Sequence, residues 1–322
     1  MMRVAALKLR ILARWAAAVI IVLLIAGVGM IGFTLWSASS TILNPPGPGD
    51  VGSLDGCREL TREMWGDDCG RLTEFAPERR VDFEIQSPNG YVLAGWIVRR
   101  ADAPAAAVIL YVPGGGSDRR EASRYLPLAD KLGLDLAVFD PVCQGLSPCP
   151  VPGLSYGARE SMDVAAAVAT LDRIYGEVVV MGSSMGALSI IRALPQLRNV
   201  QGVVLENPML GLEPLLRDAQ QSKGMPPFAV SLLANLVTWR GKFPSVPQAE
   251  EVMRAYDGPP LLFIHSQSDQ VVPFAHSEVL AEAAGRTAST WFPMRGDHGA
   301  VWNANRDEFE QRVRDFLAST LN

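Results

Sequence analysis

The stretch Glu177-Val-Val-Val-Met-Gly-Ser-Ser-Met-Gly-Ala187 decides the fold of this 322-residue chain. Three β-branched residues run directly into a Gly-x-Ser-x-Gly pattern, and a helix-compatible segment begins at Met185. In a strand–turn–helix context this pattern is typical of a nucleophile elbow, a sharp and strained turn that requires small residues beside the serine. The sequence therefore predicts that Ser184 presents its hydroxyl above a sheet, at the N-terminal end of the following helix.

The segments around this turn alternate between strands and helices. Val81 to Gln86 alternates apolar and polar residues, Asn89-Gly90 is a hairpin signal, and Tyr91 to Val98 is the returning strand. The remaining predicted strands are 106–112, 136–139, 177–181, 202–205, 261–265 and 289–292, and the predicted helices are 117–132, 156–174, 185–194, 274–284 and 302–320. A hairpin followed by βα units predicts an α/β fold with a mostly parallel sheet, an antiparallel N-terminal hairpin and helices on both faces.

The strand–helix alternation breaks between Asn207 and Pro260. This region is rich in proline and contains one apolar segment, Phe228 to Trp239. We interpret about 208–259 as a small insertion over the carboxyl edge of the sheet. A lid over an acyl pocket and ordinary packing helices both fit this composition, and both interpretations stay open.

The N-terminal region predicts a membrane anchor. Trp15 to Trp36 contains no charge, and as a helix it is about 33 Å long, enough to cross the hydrocarbon core. Basic residues precede it and none follow until Arg58, which predicts a cytoplasmic N-terminus and an extracytoplasmic domain, periplasmic in a bacterium. The alternative is a cleaved signal peptide, which has a shorter apolar region. The predicted division is a cytoplasmic basic segment (1–14), an anchor (15–36), a Pro/Gly linker (37–53) and one domain (54–322).

Charge excludes nucleic acid as a partner. Four of the 29 basic residues lie within 1–14, so the remainder carries 25 basic against 34 acidic groups, a net charge of -9. A domain of that sign has no electrostatic attraction for phosphate backbones. The glycine pairs lack the spacing and lysine of a phosphate loop, so no nucleotide site is indicated, and we expect neither a cofactor nor a metal.

The four cysteines form two close pairs beyond the anchor, which is compatible with disulfides in an exported domain. Pairing of Cys57 with Cys69 and of Cys143 with Cys149 is the simplest of three connectivities, and four unpaired thiols are the alternative. Neither pair has C-x-x-C spacing, which disfavours redox catalysis and zinc binding.

A serine hydroxyl needs a base within hydrogen-bond reach before it acts as a nucleophile, and the chain has only three histidines. His298 follows the last predicted strand, at the carboxyl edge where Ser184 also lies, and it is the predicted base. His265 ends a buried strand, so we interpret it as a core or supporting residue. His276 falls early in a helix and is interpreted as solvent-exposed.

The acid that orients the base is expected after the preceding strand. Asp269 lies there, in the segment Ser266 to Pro273, and it is the predicted acid. Asp297 is adjacent to His298 in sequence, and such a neighbour rarely reaches the next residue's imidazole. Glu206 ends a strand at the same edge and stays as the alternative.

The order Ser184, Asp269, His298 resembles that of the α/β-hydrolase-fold serine hydrolases. Over about residues 81–320 the chain is similar to esterase-like members with one N-terminal anchor and a small insertion before the acid-bearing strand. The resemblance implies cleavage of acyl esters through an acyl-enzyme, as in carboxylesterases, lipases and thioesterases, with a small-molecule or lipid-like acyl substrate. A serine peptidase or amidase of the same fold and a non-catalytic binding module are the alternatives.

The resemblance also implies an oxyanion hole. Its donors would be the backbone N–H of Met185 and that of Gly115 in the loop Tyr111–Ser117, with Gly114 as the alternative. Pro113 stands where the family usually has histidine. The loop 140–147 resembles the family's Arg-Gly-x-Gly-x-Ser loop but carries a cysteine.

Overall fold

The computed structural model describes residues 2–46, 77–100, 105–221 and 224–321. Its centre is an eight-stranded sheet in the order β1-β2-β4-β3-β5-β6-β7-β8. The two pairings of β2 are antiparallel and the other pairings are parallel, which confirms the predicted fold class. The strands are β1 (Arg80–Gln86), β2 (Val92–Val98), β3 (Ala107–Val112), β4 (Asp135–Phe139), β5 (Glu177–Ser183), β6 (Val200–Glu206), β7 (Leu261–Ile264) and β8 (Ala288–Trp291).

Helices cover both faces of this sheet. They are α1 (Met2–Leu43), α2 (Leu126–Leu132), α3 (Glu160–Tyr175), α4 (Met185–Ala193), α5 (Leu212–Gln221), α6 (Pro227–Gly241), α7 (Ala249–Arg254), α8 (Ala275–Ala284), α9 (Val301–Ala304) and α10 (Arg306–Thr320). One core cluster joins the sheet to α3, α4, α7 and α8, and a second joins its other face to α2, α9 and α10. The strand β5 is buried along nearly its whole length, as expected for a central parallel strand.

Three helix boundaries differ from the sequence prediction. The predicted helix 117–132 is a 3-10 turn, Arg119–Tyr125, followed by α2. The helix predicted at 156–174 begins only at Glu160, because Tyr156 (φ 51°) and Gly157 (φ 84°) have left-handed backbones. The last predicted helix is interrupted at Asn305, which divides it into α9 and α10.

The helix α1 extends further than the predicted anchor. It continues through Leu43, so residues 37–43 are helical, which corrects their assignment to the Pro/Gly linker. The physical reason is tertiary packing: Leu43 is buried, and its carbonyl accepts the N–H of Leu154 at 2.8 Å. The span Arg14–Leu43 is apolar and long enough to cross a membrane, and a signal sequence has the same properties.

The insertion between β6 and β7 contributes α5, α6 and α7. A third apolar cluster joins α5 and α6 to the C-terminal end of α1, with Leu43, Leu216 and Val237 among its buried members. The insertion is therefore packed against α1 as well as against the main domain.

One of the expected disulfides lies within the described residues. Cys143 is bonded to Cys149, and this link closes the loop that follows β4. Cys57 and Cys69 lie outside the described residues, so their pairing stays a prediction.

Candidate active site

Ser184 occupies a strained turn between β5 and α4. Its backbone has φ 52° and ψ -117°, a combination that non-glycine residues rarely adopt. The two flanking glycines allow close packing: a Cβ on Gly186 would lie 2.1 Å from the Val112 carbonyl oxygen, and one on Gly182 would lie 2.8 Å from it. The N–H of Ser184 donates to the Glu206 carbonyl at 2.8 Å, which joins the turn to the end of β6.

The loops after β7 and β8 bring two further predicted residues to Ser184. The Nε2 atom of His298 lies 2.9 Å from the Ser184 hydroxyl. The Nδ1 atom of the same ring lies 2.8 Å from Oδ2 of Asp269. Because a carboxylate only accepts hydrogen bonds, this contact favours the tautomer with the proton on Nδ1, which leaves Nε2 free to accept the serine proton.

Asp269 is held as an anion by its surroundings. Burial alone would raise the pKa of this carboxyl, but hydrogen bonds from His265 and His298 outweigh it and bring the pKa below the usual range. The Oδ1 atom also accepts the N–H groups of Val271 and Val272, each at 2.8 Å. His265 is fully buried behind Asp269, with Nε2 3.2 Å from Oδ2, which fits its interpretation as a supporting residue.

The two competing acids point elsewhere. Asp297 uses Oδ1 to accept the backbone N–H groups of Gln270 and His298, at 2.9 and 2.8 Å, and makes no contact with the imidazole. Glu206 is fully buried and accepts the Tyr125 hydroxyl at 2.6 Å. Burial raises the pKa of Glu206 to about 7. Among the candidate acids, Asp269 therefore has the geometry to orient His298.

The interpretation of His276 as solvent-exposed is wrong. Its side chain is buried, with Nε2 2.5 Å from Oδ2 of Asp218, and its Nδ1 accepts the N–H of Leu210 at 3.3 Å. The helix α5 of the insertion covers this side of α8. A local helical pattern does not reveal such coverage, because the covering residues come from a distant segment of the chain.

The glycine loop after β3 leaves one of its amides unpartnered. The N–H of Gly114 donates to Oε2 of Glu121 at 3.1 Å, while those of Gly116 and Ser117 donate to Oε1 of Gln144. Within the described residues, the N–H of Gly115 has no acceptor. A Cβ on Gly115 would lie 3.5 Å from the Met185 Cβ, so this loop and the start of α4 are in direct contact.

Two residues that hold this loop were not identified from the sequence. Glu121 is buried and accepts hydrogen bonds from the Ser183 and Tyr111 hydroxyls, at 2.8 and 2.7 Å, in addition to Gly114. Gln144 reaches the same loop from the segment after β4. Glu121 lies in the 3-10 turn after the glycine loop and belongs to no local motif. Gln144 lies in the loop 140–147 that resembles a family motif, but that pattern does not indicate a contact with the glycine loop.

A cavity of about 70 Å³ lies beside Ser184 and His298. Asn207 lines it from the end of β6; this side chain is fully buried, and neither its amide nitrogen nor its amide oxygen has a partner in the described residues. Its place directly after a strand at the carboxyl edge was a usable sequence signal. No residue of the insertion 208–259 lines this cavity among those described, so the lid interpretation gains no support here. The described residues also contain no cluster of metal-binding side chains.

Comparison with known proteins places the architecture in one class. No protein-family model matches the chain. A relative in Bacillus subtilis (strain 168), the uncharacterized protein YqkD, is 23% identical over 250 residues, which cover 76% of this chain and 81% of the relative. The esterase Pf2001 of Pyrococcus furiosus has a similar structure, with a TM-score of 0.62 at 20% identity over 76% of this chain and 93% of that one. The esterase EaEST of Exiguobacterium antarcticum gives 0.56 at 16% identity, over 74% of this chain and 100% of that one. The chain has the α/β-hydrolase fold.

Proposed function

We propose that this protein is a membrane-anchored serine hydrolase that cleaves acyl esters through Ser184, His298 and Asp269. The observation that carries the proposal is the continuous contact from Ser184 Oγ to His298 Nε2 and from His298 Nδ1 to Asp269 Oδ2. An activated hydroxyl requires a base within hydrogen-bond reach and a group that orients the base. Here the serine lies in a strained turn, and a buried carboxylate lies behind the base.

In the proposed acylation step, Ser184 Oγ attacks the ester carbonyl carbon and its proton passes to Nε2 of His298. The negative charge that develops on the carbonyl oxygen is stabilised by the backbone N–H groups of Met185 and Gly115. Collapse of the tetrahedral intermediate breaks the bond to the leaving alcohol, and His298 donates the proton to that oxygen. The acyl group is then bonded to Ser184.

Deacylation repeats the step with water. His298 Nε2 accepts a proton from water, the resulting hydroxyl attacks the acyl carbon, and the second tetrahedral intermediate expels Ser184 Oγ. The proton returns from His298 to the serine, and the free acid leaves. Asp269 stays ionised throughout, since its pKa is held below the usual range, and it stabilises the imidazolium formed in each step.

Esters are the proposed substrates in preference to amides. The solved structures of similar fold include proteins described as esterases, which supports this choice. The test is the ratio of kcat/KM for an acyl ester and for the amide of the same acyl group. Because esters are intrinsically more reactive than amides, a serine peptidase also favours the ester. Turnover of the ester without measurable turnover of the amide supports the proposal, and turnover of both assigns the chain to the peptidase and amidase alternative.

The anchor is proposed from α1, whose uncharged stretch Trp15 to Trp36 follows a basic segment. The basic residues favour a cytoplasmic N-terminus and an extracytoplasmic catalytic domain. We expect the full-length protein to stay in the membrane fraction after a high-salt wash. Recovery of a shortened, soluble mature form would identify α1 as a signal sequence.

The catalytic assignment is tested by Ser184→Ala, with Ser289→Ala on the exposed side of β8 as the matched control. Both substitutions remove one hydroxyl, but only the first removes the proposed nucleophile. Ester hydrolysis should be lost in Ser184→Ala at unchanged Tm and retained in Ser289→Ala. Retained turnover in Ser184→Ala would reject the assignment.

A further inference from the structure

The helix α6 of the insertion has one apolar face that is covered and a second group of large apolar side chains that is exposed. Pro227 to Trp239 contains no charged residue. One face, which includes Val230, Leu233 and Val237, is buried against α1 and α5. The polar residues Ser231, Asn235 and Thr238 share one side of the helix, so they do not separate the remaining large apolar side chains from solvent.

The exposed side of α6 forms a narrow apolar stripe. Phe228, Leu232 and Trp239 are 74%, 51% and 71% exposed. At 3.6 residues per turn the three side chains fall within about 40° of arc, so they point in one direction. Asn235 is the polar member on the same side. Exposure of three large apolar side chains on one helix face marks an interaction surface.

This stripe lies beside the point where α1 would leave a bilayer. The guanidinium of Arg240 stacks on Trp36, 3.6 Å from the ring centroid, and donates to the Trp36 carbonyl at 2.7 Å. It also donates to the hydroxyls of Ser39 and Ser40. Trp239 is the sequence neighbour of Arg240, which contacts the residue that closes the uncharged stretch of α1, where interfacial aromatic residues are expected.

The same end of α1 is joined to the loop that borders Ser184. Asn44 donates to the Pro152 carbonyl at 3.4 Å, one residue after the contact of Leu43 with Leu154. A Cβ on Gly116 would lie 3.2 Å from the Pro46 carbonyl oxygen, so the chain after α1 packs directly on the glycine loop. The anchor, the insertion and the catalytic loop are thus in direct contact.

We infer that the apolar stripe of Phe228, Leu232 and Trp239 inserts into the lipid interface beside α1 and holds the active-site mouth at the bilayer surface. We choose lipid as the partner of this stripe because α6 packs on α1 at the level where α1 would leave the bilayer. Tryptophan, phenylalanine and leucine side chains form the apolar face of interfacial helices. The inference rests on the proposed membrane anchor and deepens it, because the site would then take esters that are dissolved in the bilayer.

The test places p-benzoylphenylalanine at position 232 of the full-length chain, reconstituted in vesicles of radiolabelled phosphatidylcholine. Position 25, in the middle of the proposed span and 67% exposed, is the positive control. Position 174, which is 59% exposed at the end of α3, is the matched control away from the stripe. We expect lipid adducts at 232 comparable to those at 25 and about tenfold above those at 174.

Two results would overturn the inference while leaving the anchor intact. One is a lipid signal at 232 equal to that at 174. The other is an adduct from 232 to a second copy of the chain or to its own residues 47–76, with lipid adducts formed only at 25. Absence of lipid adducts at both 25 and 232 would overturn the anchor as well. Fluorophosphonate labelling of Ser184 in the same vesicles reports separately on the proposed hydrolase.

Discussion

The Nδ1 atom of His298 lies 2.8 Å from Oδ2 of Asp269, although the two residues come from different loops at the carboxyl edge of the sheet. Asp269→Asn keeps the shape of the side chain but removes the charge and favours the wrong imidazole tautomer. We therefore expect kcat/KM for p-nitrophenyl acetate to fall by about 10³- to 10⁴-fold, with the fold retained.

Asp297→Asn is the matched control for this substitution, since the hydrogen bonds of the Asp297 carboxylate within the described residues come from backbone N–H groups. Its kcat/KM should stay within about threefold of the unmodified protein, because no group at the reacting centre changes. Equal losses in the two variants would contradict the assignment of Asp269 as the residue that orients the base.

Glu206 predicts a pH-dependent difference in stability. Its pKa is about 7 in the folded protein, against an ordinary value of 4.5, because the carboxyl is buried. Between these values the folded state holds more protons than the unfolded state, so the contribution of this group to stability falls as pH rises from about 4.5 to about 7. Glu206→Gln removes this dependence and still accepts the Tyr125 hydroxyl.

The free energy of unfolding of Glu206→Gln, relative to the unmodified protein, should therefore rise between pH 5 and pH 8, by up to about 3 kcal/mol. Urea titrations at the two pH values measure it. A difference that is independent of pH would show that the Glu206 carboxyl titrates in its ordinary range.

The Cys143–Cys149 disulfide closes the loop that carries Gln144, whose side chain accepts the N–H groups of Gly116 and Ser117. Replacing both cysteines with serine should lower the free energy of unfolding by about 2 kcal/mol, the chain-entropy value for so short a loop. It should also lower kcat/KM for esters by about tenfold, since the glycine loop is held less firmly.

Gln144→Ala and Gln144→Glu separate these two effects. The alanine variant removes the acceptor and should lower kcat/KM without the loss of disulfide stability, while the glutamate variant keeps an acceptor oxygen and should retain more activity. If reduction of the disulfide changes neither Tm nor kcat/KM, the loop does not depend on this bond.

The sequence was sufficient for the parts of the site that depend on element order. Ser184, Asp269 and His298 each follow a predicted strand, and parallel strands bring their carboxyl ends to one edge, so their proximity follows from topology. The glycines around Ser184 could be interpreted in the same way, because the turn requires close backbone approach.

The parts that depend on contacts between distant loops could not be predicted. Glu121 and Gln144 act on the glycine loop through side chains whose direction is set by the packing of other segments. The extension of α1 to Leu43 was missed for the same reason: residues 37–43 have little helical preference of their own and are held by the insertion. The burial of His276 is not visible in its own helix, because the residue that covers it, Asp218, lies in α5 of the insertion that follows β6.

The most direct test of the proposed hydrolase is fluorophosphonate labelling of the full-length protein followed by intact-mass analysis and peptide mapping. A single adduct on Ser184 is expected, absent in Ser184→Ala and formed more slowly in His298→Ala, because the contact of His298 Nε2 with Ser184 Oγ activates the hydroxyl. Two results would contradict the account and favour a non-catalytic binding module. One is a folded protein that forms no adduct, and the other is labelling of the Ser184→Ala variant to the same extent as the unmodified protein.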